Sequence, residues 1–341
     1  MKIFITFVSV IFASVLAVAQ SPKVEILTSG TRTSLRGLSV VNDNVIWVSG
    51  SNGMVGKSTN SGKNWKWMQV KGFEKTDFRD IEAFDANTAL IMGIAEPAYI
   101  LKTTDGGESW KVVYENKTKG IFLDAMDFAN NRDGIVIGDP IDGKIFLAQT
   151  KNSGNTWEEI QDPRIPKADS GEAFFAASGS NIKLFSDGNF VIASGGLRSR
   201  LITRSGATEL PIVQGKETTG ANSIDVFDNG LPRKAGQRMI IVGGDFAADS
   251  GITRNCFYSN NGGRSWHAPD TAPHGYRSSV EFLSKKDILA CGLNGVDYSS
   301  DGGKNWTWIS KEGFHVCRIA RIGTAIFLAG ANGKIGRITW Q

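Results

Sequence analysis

Five octapeptides of one pattern limit what this chain can fold into more than any other feature of it. They run Ser58–Trp65, Thr103–Trp110, Thr150–Trp157, Ser259–Trp266 and Ser299–Trp306, each reading Ser or Thr, any residue, Asp or Asn, any residue, Gly, two residues, Trp. In each, the third residue (Asn60, Asp105, Asn152, Asn261, Asp301) can fold its side-chain oxygen back onto the backbone N–H groups that follow, and the glycine two places later tolerates a positive φ. The tryptophan (Trp65, Trp110, Trp157, Trp266, Trp306) then opens a returning strand with its ring buried. Each octapeptide therefore reads as a β-hairpin connection. The step from Trp157 to Trp266 is about twice the others, so one repeat between them has lost its octapeptide.

The repeats extend beyond the turns. Upstream of each octapeptide stands a short apolar run ending in glycine, such as NVIWVSG, TALIMG and DILACG. The same unit recurs without an octapeptide as NFVIASG before Gly196 and as AIFLAG before Ala331. Seven units result, and the 40 glycines against 9 prolines suit many short strands joined by tight turns. Seven four-stranded units are expected to close into an all-β, seven-bladed β-propeller, a ring that leaves no long exposed sheet edge. The last unit stops after its third strand, at Trp340, while Lys23–Ser29 is a spare strand near the start. That strand is expected to complete blade seven from outside, making residues 20–341 one domain that cannot be cut without opening the ring.

Residues 1–19 read as a signal peptide: Lys2, an apolar run, then Ala17, Val18 and Ala19 before the cut. The run is shorter than the roughly 20 residues a membrane span needs, so the mature chain is expected to be secreted or periplasmic with no span. The net charge of +4 is small and dispersed, which does not suit nucleic acid. Cys256, Cys291 and Cys317 lack metal-ligand spacing and read as small buried hydrophobes. No GxSxG elbow, phosphate-cradling glycine loop or HExxH helix occurs, and neither cofactor nor metal is expected.

The octapeptides resemble the Asp-box, or BNR, repeat of sialidase-like propellers. Their spacing, the degenerate units and the lack of further domains are more similar to the photosystem II assembly factor type than to sialidases. That resemblance implies an exported, non-catalytic propeller that binds a protein or peptide on an arginine-containing face, here Arg36, Arg79, Arg198 and Arg277. Arg36, Arg79 and Arg277 also resemble the sialidase arginine trio, whose forks match a carboxylate, and Tyr276 stands where a sialidase nucleophile belongs. The Arg-Ile-Pro motif that should precede the first box is found only at Arg164–Pro166, after the third.

Propellers gather the starts of the innermost strands, and the loops joining second to third strands, around one mouth of the central channel. Here those positions supply Arg36, Arg79, Asp80, Asp124, Tyr276, Arg277, Phe314 and His315 from strands, and Glu96, Asp139 and Arg198 from loops. Charges mixed with aromatics suit a peptide or protein loop, or a carbohydrate. The alternative is a glycoside hydrolase. Asp80, Glu96, Asp124 and Asp139 would converge from adjacent blades two and three, and such chemistry takes two carboxylates about 5 to 9.5 Å apart.

Overall fold

The structure, a computed structural model, describes residues 21–227 and 236–341. The expected signal peptide lies outside the described residues. Seven antiparallel sheets form seven blades, six with four strands and one with five. Their innermost strands are Leu35–Val40, Phe78–Ala83, Leu123–Phe128, Ile182–Leu184, Thr219–Phe227, Ser279–Phe282 and Val316–Ile319. Each touches the next around the ring, and the last touches the first.

Closure follows the expected route. Pro22–Thr28 pairs antiparallel with Ile335–Trp340, in the register Pro22↔Trp340, Val24↔Ile338 and Thr28↔Ile335. Both ends of the chain thus lie in one sheet, and opening the ring means peeling this strand away. The core is divided accordingly, with buried side chains collecting between neighbouring blades. One cluster packs Leu90, Met92 and Ile100 of blade two against Leu123, Met126 and Val136 of blade three. Another joins Leu35, Leu38 and Val48 of blade one to Val316, Phe327 and Ile335 of blade seven. Cys256, Cys291 and Cys317 are free and buried.

The five octapeptides adopt one hydrogen-bonded turn. In blade two, Thr103 Oγ1 donates to Asp105 Oδ1 at 2.8 Å and accepts the Gly107 N–H at 3.0 Å. Asp105 Oδ1 also accepts the Ser109 N–H at 3.0 Å. Blade six repeats this with Ser299, Asp301, Gly303 and Asn305 at 2.9 to 3.0 Å. The box glycine is held at φ +89° in blade two and +91° in blade six, a region that penalises a Cβ. Blades four and seven lack a box: in blade seven the outer strand comes from the other end of the chain, and in blade four the hairpin is present but its turn differs. That hairpin, Arg200–Thr203 with Gly206–Glu209, closes on a Thr203–Gly206 pairing instead. Among the described residues no helix is long and apolar enough to cross a membrane.

Candidate functional site

Blade four also departs from its neighbours at the channel. Its innermost strand is confined to Ile182–Leu184, and residues 174–181 before it form no strand. The local sequence, Phe174, Phe175, Ala176, Ala177, Ser178, Gly179 and Ser180, is rich in small residues that suit close backbone approach rather than a strand. This segment crosses the ring. Arg36 of blade one donates to the Ala177 carbonyl at 3.3 Å, and Arg318 of blade seven donates to the Ser178 carbonyl at 2.8 Å. Ser178 Oγ donates to the Ser278 carbonyl of blade six at 2.6 Å. At Gly179, φ is +62° and a Cβ would stand 2.3 Å from Asp80 Cγ of blade two. The segment is a plug tied to four other blades.

Above the plug lies a bowl of about 400 Å3 whose lining includes Ala173, Phe174, Phe175, Ala176 and Ala177. Arg36, Arg79, Asp139, Tyr276 and His315, all singled out by the sequence, line the same bowl. Arg79 donates through Nε to Asp77 at 2.8 Å and lies over the Phe122 ring at 5.8 Å. Burial, then the neighbouring Arg79 charge, pulls the Arg36 pKa below its usual value. The same two causes act on His315: burial and then Arg36 and Arg79 push it down to about 3, so its ring is neutral near pH 7. Its Nε2 lies 3.2 Å from Ser34 Oγ. Tyr276 gives its hydroxyl to Asn222 Oδ1 at 2.8 Å, and burial raises its pKa. It therefore offers the bowl a ring, not a nucleophile.

Other expected residues are elsewhere. Arg277 is fully buried and held by Asp297 at 2.6 Å, Asn294 at 2.6 Å and the Tyr276 carbonyl at 2.8 Å. Phe314 is buried in the cluster between blades six and seven. Tyr276–Arg277 and Phe314–His315 lie just before the strands Ser279–Phe282 and Val316–Ile319, and while Tyr276 and His315 line the bowl, Arg277 and Phe314 are buried in the blades. Arg198 is absent from the bowl lining and pairs with Asp169 and Glu209 at 3.3 and 3.5 Å.

The four acidic candidates do not converge. Asp80 accepts the Met126 N–H at 2.7 Å and the Ile81 N–H at 2.8 Å, clamping blade two to blade three beneath the plug. Asp127 and Asp225 make the same clamp on Leu184 and Phe282, both at 2.6 Å. Asp80 is thus one of a structural series. Glu96 is exposed on a loop and accepts the Gly120 N–H. Asp124 and Asp139 do lie together: burial and then the Asp139 charge raise the Asp124 pKa well above normal. Asp139 lines the bowl, accepts the Phe174 N–H at 2.8 Å and is itself raised by burial. Among the described residues, no group of three His, Cys, Asp or Glu could hold a metal ion.

Sequence reasoning missed Phe175, Phe246 and Leu293, which also line the bowl. Phe246 directly follows Asp245, and Leu293 follows Gly292, in the second-to-third loops of blades five and six. Their place in those loops is a usable signal, since the same loops supply Glu96, Asp139 and Arg198 in other blades.

The molecule is a seven-bladed Asp-box propeller with a plugged channel and a basic, aromatic-walled bowl at one mouth. Residues 66–182 match the family described as Photosynthesis system II assembly factor YCF48. A solved structure described as YCF48 bound to D1 peptide is 17% identical, with 93% of this chain and 96% of that one covered and a TM-score of 0.58. YCF48 from Cyanidioschyzon merolae is 16% identical, covering 92% and 98%, with a TM-score of 0.63. The GH74 enzyme of Niastella koreensis is 14% identical, with a TM-score of 0.61 over 92% of this chain and 53% of that longer one. At such identities these likenesses concern the fold. A search of curated proteins found no match.

Proposed function

We propose that this is an exported interaction propeller that binds a protein or peptide, without catalysis, in the bowl at its channel mouth. The observation that carries the reading is the juxtaposition of Arg36 and Arg79 in a partly enclosed bowl, two guanidiniums that among the described residues have only Asp77 as an ion-pair partner between them. Holding like charges together out of bulk water is costly until an anionic group arrives. Peptide binding by a YCF48 of the same fold supports the choice of partner. Glycoside hydrolysis takes two carboxylates flanking one bond. Of the four acidic candidates only Asp139 lines the bowl, which favours binding over chemistry.

The test is affinity capture from the periplasmic or secreted fraction with the wild type, Arg36→Glu and Arg79→Glu. A partner is expected on the wild type and lost from either variant, while both variants keep their folded circular dichroism spectra. Unchanged capture by both variants would contradict the proposal. So would sugar release from a glycoside by the wild type that is abolished in Asp139→Asn.

A further inference from the structure

We infer, resting on the peptide-binding reading, that the bowl selects a chain end: a carboxylate joined to an aromatic or bulky apolar side chain. The carboxylate would lie between Arg36 and Arg79, and the side chain against Phe175, Phe246 and Leu293.

Three features of the bowl converge on that chemistry. The plug closes the floor, because residues 177–179 are tied to blades one, two, six and seven. An entering chain has no exit through the ring, so a segment that points into the bowl ends there, which suits a terminus. The two walls also differ in kind. On one side, among the described residues, Arg36 makes a single long hydrogen bond of 3.3 Å to Ala177, and Arg79 makes a single hydrogen bond through Nε to Asp77 besides lying over the Phe122 ring, so most of their N–H donors have no protein acceptor. Guanidinium forks match a planar carboxylate in two parallel hydrogen bonds.

The other wall is aromatic. Phe175 and Phe246 meet edge to face at 5.6 Å, and Phe246 meets Tyr276 at 6.2 Å. The Tyr276 hydroxyl is already taken by Asn222. Phe246 and Leu293 nonetheless remain 39% and 43% exposed at the lip. Neighbouring bulky apolar groups left open beside a charged pocket mark a surface that gains by being covered. A phenyl or leucyl group placed there buries both, and edge-to-face contact with Phe246 adds selectivity for a ring.

The probes are small and defined. In calorimetric titration, 3-phenylpropionate carries both groups, acetate only the carboxylate, and 3-phenylpropanol only the ring. The wild type is expected to bind 3-phenylpropionate at least about tenfold more tightly than either of the others. Phe246→Ala should weaken it about tenfold with an unchanged melting temperature. Leu293→Ser is the second lip variant and should weaken it in the same direction. Equal affinity for 3-phenylpropanol and the acid, or no loss in both lip variants, overturns the inference.

A tetrapeptide ending in phenylalanine, as free acid and as C-terminal amide, separates the sources of the carboxylate. Binding of the peptide acid but not the amide supports a peptide terminus. Binding of 3-phenylpropionate with exclusion of both peptides keeps the pocket chemistry, assigns it to a free acid, and contradicts the peptide reading. Conversely, an arginine-dependent partner that ignores both lip variants leaves the peptide reading intact and overturns this one.

Discussion

Blades two and four share a plan and differ in what they do with it. Blade two has an inner strand, Phe78–Ala83, paired from end to end save for a register shift at Arg79, and an Asp-box whose turn makes the same bonds as its counterparts. Blade four has no box, and the segment leading into its short inner strand has left the sheet to cross the channel. The regular blades supply a rigid ring, and the irregular one supplies the floor of the bowl. Of the two units without a box, blade four is the one whose inner segment leaves its sheet to floor the bowl.

The comparison can be broken most forcefully at Gly179. A valine there would need a strained backbone at φ +62° and would drive a side chain into Asp80. Gly179→Val is expected to cost about 3 kcal/mol, read as a lower melting temperature. The same change at Gly206, where a Cβ meets nothing within 4 Å, should cost far less. Similar losses at both sites would mean the plug is not packed as described.

A smaller effect lies beneath the plug. Burial is the main cause that raises the Asp80 pKa, to about 7. The folded state therefore holds this proton more tightly than the unfolded chain does. Its contribution to stability is fully present below the unfolded value near 4 and is lost as the pH rises through 7. Denaturant titrations of the wild type should lose on the order of 2 kcal/mol between pH 5 and 8 from this group. Asp80→Asn, which retains an acceptor for the Met126 N–H, should flatten that slope. A slope equally steep in the variant would remove Asp80 as its source.

The smallest effect sharpens the contrast between turns. Asp105→Ala removes the box acceptor for the Ser109 N–H and the Thr103 hydroxyl and should cost about 1 kcal/mol. Ser205→Ala in the blade-four hairpin, where no box network exists, should cost under about 0.5 kcal/mol by the same denaturation measurement. Equal costs would show that the box is not the stabilising turn it is taken to be.

Much of this was legible in the sequence because it recurs. The octapeptides define the turns, their doubled interval locates the missing one, and the unmatched strand near Lys23 indicates how the ring closes. The bowl was legible at Arg36, Arg79, Asp139, Tyr276 and His315, which occupy comparable places in their blades. Neighbouring positions were not resolved. Tyr276 and Arg277, or Phe314 and His315, are equivalent in sequence until the path of the chain entering each inner strand decides which of each pair faces the bowl. The plug was invisible for a different reason: Ala176–Ser180 breaks the repeat, and only contacts with distant blades give it a place.

The most direct measurement is the capture experiment with the two faces of the ring set against each other. Arg36→Glu and Arg79→Glu reverse charge in the bowl, and Lys63→Glu reverses it on an Asp-box turn at the opposite end of blade one. Loss of the partner from both arginine variants, with Lys63→Glu behaving as wild type, is the predicted result. Loss from Lys63→Glu alone would place binding on the box face and contradict the account.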